Sequence, residues 1–168
     1  MTGRLLRAVI ALPGTVVVLV PCLLLYLTDT SGGGLPPPSA PPGVLAVAGL
    51  LAACGLAFAV WTVSLFVRSG RGTPAPWDPP TRLVVEGPYR HVRNPMITSV
   101  IVILGAEVLA WQSPALSAWA LFFMAVNAYY LPNIEEPRLI ERFGDDYRHY
   151  RDNVPRWLPR ARPWPPDG

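Results

Sequence analysis

The chain has 168 residues, of which 51% are hydrophobic and only 15% are charged, and its net charge is +3. All of its basic residues other than the two histidines are arginines, and they flank apolar stretches instead of forming one basic face. This distribution argues against nucleic-acid binding. The two cysteines are not part of a CxxC motif, and with two histidines they form no metal-site pattern, so no metal is predicted.

Four apolar blocks are long enough to cross a bilayer, which requires about 17–25 residues per helix. They predict spans over approximately 5–27, 44–67, 95–112 and 114–132. Apart from Arg7 near the start, the only charge inside them is Glu107, which lies either near the outer interface or at a functional position. The prediction is an all-α integral membrane protein with one membrane domain, residues 1–168.

The first block contains Pro13 and Pro21, which predict a kinked helix. Its apolar run is longer than that of a usual signal peptide, and no small-x-small cleavage site follows, which favours an uncleaved helix. The glycine- and proline-rich stretch 29–43 is predicted to be a disordered linker outside the membrane. In the second block, Gly49, Gly55 and neighbouring alanines predict close helix packing.

Along the chain, segments that contain arginines alternate with segments that contain none. Arginines precede the first block, lie between the second and third, and follow the fourth, whereas 28–43 and the turn Gln112-Ser113 have none. The positive-inside rule therefore predicts that both termini and the central loop are cytoplasmic, in a bacterial plasma membrane. The same rule is consistent with four spans.

Polar residues flank the last two blocks. Asn94 and Pro95 have the types preferred at the N-cap and first position of a helix, which predicts that the third span starts there. The short turn after it predicts an antiparallel hairpin. A further amphipathic helix is predicted from Pro137 to Gly144 on the cytoplasmic side, with interfacial aromatic anchors after it: Tyr147, Tyr150 and Trp157.

An antiparallel hairpin returns to the side where it began, so Arg93-Asn94 and Glu135-Glu136 are predicted to lie close together. A helix N-terminus attracts a carboxylate and a glutamate attracts an ammonium group. Such a site suits a zwitterion, and the amino-acid end of S-adenosylmethionine is one.

The pattern Gly-Pro-Tyr-Arg-x-x-Arg-Asn-Pro-Met, followed by Glu-Glu-x-x-Leu-x-x-x-Phe-Gly-x-x-Tyr-x-x-Tyr-x-x-x-Val-Pro-Arg, resembles the integral-membrane methyltransferases. These are the isoprenylcysteine carboxyl methyltransferase and phospholipid N-methyltransferase-like proteins. The resemblance covers about residues 83–159. It implies that a half of the chain over 82–159 binds S-adenosyl-L-methionine near the cytoplasmic face and that a lipophilic or lipid-linked substrate enters from the lipid bilayer.

By this resemblance a set of cofactor-binding residues is expected: Arg82, Leu83, Val84, Val85, Tyr89, Asn94, Pro95, Met96, Ile97 and Glu135. The candidate catalytic residues are His91, Arg93 and Glu136. A carboxylate or thiolate acceptor needs no general base. An amine or hydroxyl acceptor needs one, and His91 and Glu136 are the candidates.

Three positions depart from the carboxyl methyltransferases: Asn94 replaces a histidine, Ile97 a tyrosine and Leu131 a substrate-binding arginine. These departures argue against a prenylcysteine carboxylate substrate. The sequence therefore predicts an S-adenosylmethionine-dependent methyltransferase acting on a lipophilic carboxylate, amine or thiol. The alternative is a non-catalytic membrane scaffold or lipid-binding protein.

Overall fold

The computed structural model of the chain describes residues 10–29, 34–69 and 81–165. All regular structure in these ranges is helical, and they contain no strand. Residues 5–9 of the predicted first span, the arginines Arg4, Arg7 and Arg71, and most of the loop before Arg82 lie outside the described residues. So do residues 30–33 of the predicted linker.

The helices follow the predicted blocks in chain order. A π-helical segment, Ile10–Leu19, continues as α1 (Val20–Thr28). The long helix α2 (Pro42–Ser69) follows, and then α3 (Pro95–Trp111) and α4 (Pro114–Tyr130). A second π-helical segment, Leu131–Glu135, leads into α5 (Glu136–Phe143), and α6 (Asp145–Asn153) is the last helix described.

Within the described residues, two continuous helical stretches are long and apolar enough to cross a membrane, Pro42–Leu65 and Pro114–Phe143. The apolar helices Pro13–Thr28 and Pro95–Trp111 are shorter. The all-helical prediction is therefore confirmed. The four-span count and the cytoplasmic position of the C-terminal segment stay predictions.

Proline shapes both π-helical segments. Pro13 lies inside the first, and Pro132 is at the start of the second. Proline has no N–H to donate to the helix, and a locally wider turn accommodates that loss. The expected end of the fourth block near Pro132 is thus not a break, because the chain continues helically into α5.

The described residues divide into two compact units. The first comprises the described parts of 1–57 and 99–126. In it, a Cβ on Gly55 would lie 2.8 Å from Ile103 Cγ1, so glycine permits the close approach of α2 and α3 predicted there. Gly49 has nothing within 4 Å of such an atom and makes no equivalent contact.

The prediction of a disordered linker is wrong for residues 34–41. The amides of Ser39 and Ala40 both donate to the Ala110 carbonyl at 3.1 Å, and Trp111 Nε1 donates to the Pro36 carbonyl at 2.9 Å. The two amides satisfy the Ala110 carbonyl, and Ser39 Oγ donates to the Trp111 carbonyl at 2.6 Å, so both of these carbonyls at the C-terminal end of α3 gain partners that their own helix does not supply. The segment is held in place because it caps α3.

The second unit comprises the described parts of 58–98 and 127–168. Its core contains Tyr147, Tyr150, Val154 and Trp164, each less than 10% exposed. The prediction that Tyr147 and Tyr150 are interfacial anchors is therefore wrong. The amphipathic prediction for α5 is confirmed, since Leu139 and Phe143 pack against this core.

Candidate functional site

The two polar clusters meet within the second unit. Arg93 Nη1 donates to Glu136 Oε1 at 2.9 Å, and both side chains are only 9% exposed. The carboxylate that follows the fourth apolar block therefore contacts the guanidinium that precedes the third. This is the convergence that the antiparallel hairpin predicted.

Glu136 is held by a second arginine as well. Arg156 Nε donates to Oε1 at 2.6 Å, and its Nη2 donates to Oε2 at 3.0 Å. Bidentate pairing of this kind is among the stronger and more directional hydrogen bonds in proteins. These bonds raise the pKa of Arg156 further above its already high usual value. Both carboxylate oxygens of Glu136 are thus occupied by guanidinium groups.

Residues 154–165, here called the C-terminal strap, run along the loop that carries Arg93. The Arg93 amide donates to the Pro155 carbonyl at 2.9 Å. The Arg160 amide donates to the His91 carbonyl at 3.0 Å, and the Trp164 amide donates to the Arg90 carbonyl at 2.9 Å. Backbone hydrogen bonds therefore fix the loop from residue 90 to residue 93.

Side chains reinforce the same contact. Arg90 Nε donates to the Trp164 carbonyl at 2.7 Å, and His91 Nδ1 lies 2.8 Å from the Arg160 carbonyl. A carbonyl only accepts, so Nδ1 carries the proton and the lone pair of a neutral His91 is on Nε2. The side-chain amide of Asn94 donates to the Arg156 carbonyl at 3.4 Å.

Buried tyrosines complete the support. Tyr150 donates its hydroxyl proton to the Tyr89 carbonyl at 2.7 Å. Burial raises the pKa of Tyr89 and of Tyr150 well above the usual range, and it raises the pKa of Tyr147 to about 12. All three phenols therefore stay protonated at neutral pH and do not act as tyrosinate bases.

These elements enclose a cavity of about 60 Å³, here called the polar cavity. It is large enough for one small charged group or a few water molecules. Eleven residues line it: Arg82, Leu83, Val84, Tyr89, Arg93, Asn94, Glu135, Leu139, Phe143, Tyr147 and Tyr150.

Two lining residues have polar atoms without a partner among the described residues. Glu135, delivered by the π-helical segment after Pro132, makes no ion pair with any described residue. Arg93 keeps its Nε buried with no hydrogen-bond partner among the residues the structure covers. Buried polar groups are normally paired, so Glu135 and Arg93 Nε are the two groups beside this cavity that remain to bond a ligand.

Six of the ten predicted cofactor residues line the polar cavity, namely Arg82, Leu83, Val84, Tyr89, Asn94 and Glu135. The other four do not. Val85 packs against the aromatic core, Pro95 is fully buried at the start of α3, and Met96 and Ile97 follow it as half-buried helical residues. Of the three candidate catalytic residues, Arg93 lines this cavity, and Glu136 lies behind it, bonded to Arg93.

His91 instead faces a larger cavity of about 450 Å³, here called the proline groove. It shares no lining residue with the polar cavity. Its lining consists of Phe58, Trp61, Gly87, Pro88, Arg90, His91, Val92, Pro159 and Pro163.

Sequence reasoning did not single out Arg156, Tyr147 or Tyr150 as site residues. Arg156 is 20 positions beyond Glu136, a separation that by itself predicts no contact. Its presence in the Val-Pro-Arg part of the quoted pattern was the one available signal. Among the described residues, no group of three or more His, Cys, Asp or Glu side chains is placed to hold a metal ion.

The fold and the site define a helical chain with membrane-length apolar helices and a small polar cavity beside their ends. The chain belongs to the phospholipid methyltransferase family, whose family profile matches residues 44–146. This confirms the resemblance read from the two motifs. No solved structure matches the chain.

Two similar curated proteins are methanethiol S-methyltransferases. Methanethiol S-methyltransferase 1 of Bradyrhizobium diazoefficiens is 36% identical over 44% of this chain and 25% of its own length. The Pseudomonas deceptionensis enzyme is 32% identical over 44% of this chain and 27% of its own length. An uncharacterized protein of Haemophilus influenzae is 38% identical over 38% of this chain and all of its own length. The matched part thus spans about a quarter of each methanethiol methyltransferase.

Proposed function

We propose that the chain is an S-adenosylmethionine-dependent methyltransferase that acts on a lipophilic or membrane-partitioned acceptor. The observation that carries this proposal is that two groups without partners among the described residues lie beside the same cavity: the carboxylate of Glu135 and the buried N–H of Arg93 Nε. Their chemistry fits the zwitterionic end of the cofactor, which supplies an electrophilic methyl group when it is bound.

The residues around the cavity have distinct roles in this proposal. Glu135 accepts hydrogen bonds from the ammonium group, and Arg93 binds the carboxylate. The volume of about 60 Å³ suits this charged end alone. Methyl transfer from a sulfonium develops no oxyanion, so the contribution of the protein is to position the two reactants and exclude water, an effect worth several kcal/mol.

Glu136 is proposed to position Arg93 and not to act as a base. Both of its oxygens accept hydrogen bonds from Arg93 or Arg156, which leaves it poorly placed to take a proton from an acceptor. Of the candidate catalytic residues, His91 lines the proline groove and not the polar cavity, so it is not assigned as the base in this proposal. A thiolate or carboxylate acceptor needs no base.

The names of the relatives favour a thiol as the first acceptor to test, and carboxylates and amines follow. The proposed setting is a four-span protein of a bacterial plasma membrane, with both termini in the cytoplasm and the cofactor half at residues 82–159. In this setting, an acceptor dissolved in the bilayer reaches the site from the membrane side.

Titration of S-adenosylmethionine into detergent-purified protein by calorimetry tests the cofactor site. Glu135→Gln is expected to weaken binding about thirtyfold, because it removes the partner of a desolvated ammonium group at a cost of about 2 kcal/mol. Glu141→Gln is the matched control, since Glu141 is exposed on α5 and does not line the cavity. Equal affinity for the wild type and Glu135→Gln would contradict the site.

The acceptor class is tested separately. Membranes that contain the protein are incubated with methyl-labelled cofactor, and label is sought in thiol, amine and carboxylate fractions. The alternative function, a scaffold without catalysis, is favoured by the departures at Asn94, Ile97 and Leu131. The third of these is buried, since Leu131 is only 1% exposed. If any fraction acquires more label than the same fraction from membranes of cells that lack the protein, this alternative is excluded.

A further inference from the structure

The proline groove is separate from the proposed methyl-transfer site, and its lining has a different chemistry. Its volume of about 450 Å³ lies within the range of about 300–1,000 Å³ typical of sites for organic ligands. Most of its wall is apolar and includes two aromatic rings and three prolines. Such a wall binds a hydrocarbon group in preference to a polar one.

One wall of the groove belongs to a membrane-length helix. Phe58 and Trp61 lie on α2, in the part Pro42–Leu65 that is long and apolar enough to cross a bilayer. Their rings pack edge to face at 6.1 Å, yet Trp61 is still 51% exposed. Tryptophan in such a position is typical of the level where a bilayer meets water. The groove therefore starts where acyl chains and headgroups are both available.

The polar part of the lining is cationic. Arg90 makes no ion pair with any described residue, and its side-chain bond from Nε to the Trp164 carbonyl leaves both terminal nitrogens without a partner in the described part of the chain. The neighbouring His91 is held through Nδ1. Among the described residues, no carboxylate lines the groove. The charge complementary to this lining is an anion, and a planar guanidinium suits the oxygens of a phosphate.

From this combination we propose that the proline groove binds one anionic phospholipid of the bilayer, with its phosphate at Arg90 and an acyl chain against Phe58 and Trp61. Its position also gives the bound lipid a structural consequence. Pro159 and Pro163 of the groove belong to the C-terminal strap, so the bound lipid contacts this strap. The strap in turn contains Arg156 and holds the loop of Arg93 by backbone hydrogen bonds.

The test compares phospholipids with identical dioleoyl chains and different headgroups. Native mass spectrometry of the detergent-purified protein, titrated with phosphatidylglycerol and with phosphatidylcholine, measures how much of each is retained. The wild type is expected to retain phosphatidylglycerol in preference. Removal of the phosphate partner by Arg90→Gln is expected to weaken this binding about fivefold, the effect of about one cation at a membrane surface.

Arg162→Gln is the matched control, because Arg162 is exposed and does not line the groove. It is expected to leave phosphatidylglycerol binding within a factor of two of the wild type. Arg90→Lys retains the charge and is expected to keep most of the preference. Equal losses in Arg90→Gln and Arg162→Gln would overturn the proposal, because they would show that net charge and not the groove attracts the lipid.

A measurement on the wild-type protein does not depend on how Arg90→Gln folds. Phosphatidylglycerol with a photoreactive diazirine in one acyl chain is irradiated in vesicles that contain the protein, and labelled peptides are identified. Enrichment of label in peptides with Trp61 or Pro159, compared with the exposed α4 residues Leu121 and Phe122, is expected. Labelling spread evenly over all of these peptides would overturn the proposal, and so would equal labelling by the phosphatidylcholine analogue. Displacement of the lipid by a methyl acceptor would also overturn it.

Discussion

Glu136 joins three segments that are distant in the sequence. It lies at the start of α5 and bonds to Arg93 before α3 and to Arg156 in the C-terminal strap. A buried carboxylate is costly to dehydrate, and its ion pairs offset that cost only while both partners are present. The geometry of the candidate site therefore depends on Arg156, a residue that does not line the cavity.

Arg156→Gln is expected to lower the free energy of unfolding by roughly 2–4 kcal/mol, because it leaves Glu136 buried with Arg93 alone. Arg148→Gln is the control. It breaks an ion pair to Asp145 of 2.6 Å whose side chains are 54% and 95% exposed, and such surface pairs contribute about 0–1 kcal/mol. Thermal unfolding in detergent measures both variants, and similar losses would contradict the role assigned to Arg156.

At the scale of elements, the turn Gly87–Arg90 depends on one glycine. Gly87 has φ of +52°, a left-handed conformation that side chains disfavour. A Cβ there would lie 3.1 Å from Leu65 Cδ1 and 3.3 Å from Trp61 Cζ2. The turn thus packs closely against the C-terminal part of α2, and it presents Tyr89 to the polar cavity and Arg90 to the proline groove.

Gly87→Ala is accordingly expected to destabilise the protein by roughly 1–3 kcal/mol, from backbone strain and crowding together. Gly49→Ala on α2 is the opposite case, since its Cβ would meet nothing within 4 Å and alanine favours a helix by up to about 1 kcal/mol. Melting temperatures of the two variants are expected to move in opposite directions. A neutral Gly87→Ala would show that the turn adjusts without cost.

The elements also show where local patterns suffice and where they do not. The start of α3 at Pro95 and the end of α5 before Gly144 followed from residue types at helix ends, which act locally. The helical continuation through Pro132 was missed, because a π-helical turn depends on how neighbouring helices and loops re-satisfy the freed carbonyls. The ordered segment 34–41 was missed for the same kind of reason, since its partners lie on α3.

For the whole molecule, the arginine distribution predicts which connections face the cytoplasm. In a variant without Cys22 and Cys54, a single cysteine at Pro37 is expected to react with a membrane-impermeant maleimide in intact cells. A cysteine at Ala161 is expected to react only after permeabilisation. Both positions are exposed, so access is decided by the membrane and not by burial. Labelling of Ala161→Cys in intact cells would contradict the predicted topology.

The sequence alone determined the helical class, the apolar blocks, the family and the two polar clusters, because hydrophobic length, helix-end preferences and motif spacing are local properties of a chain. Only the tertiary structure decided that Arg156 joins Arg93 in holding Glu136, that Tyr147 and Tyr150 form a core and not an interface, and that His91 and Arg93 face different cavities. These outcomes depend on contacts between residues far apart in the chain, and no local pattern encodes the distance or the orientation of such contacts.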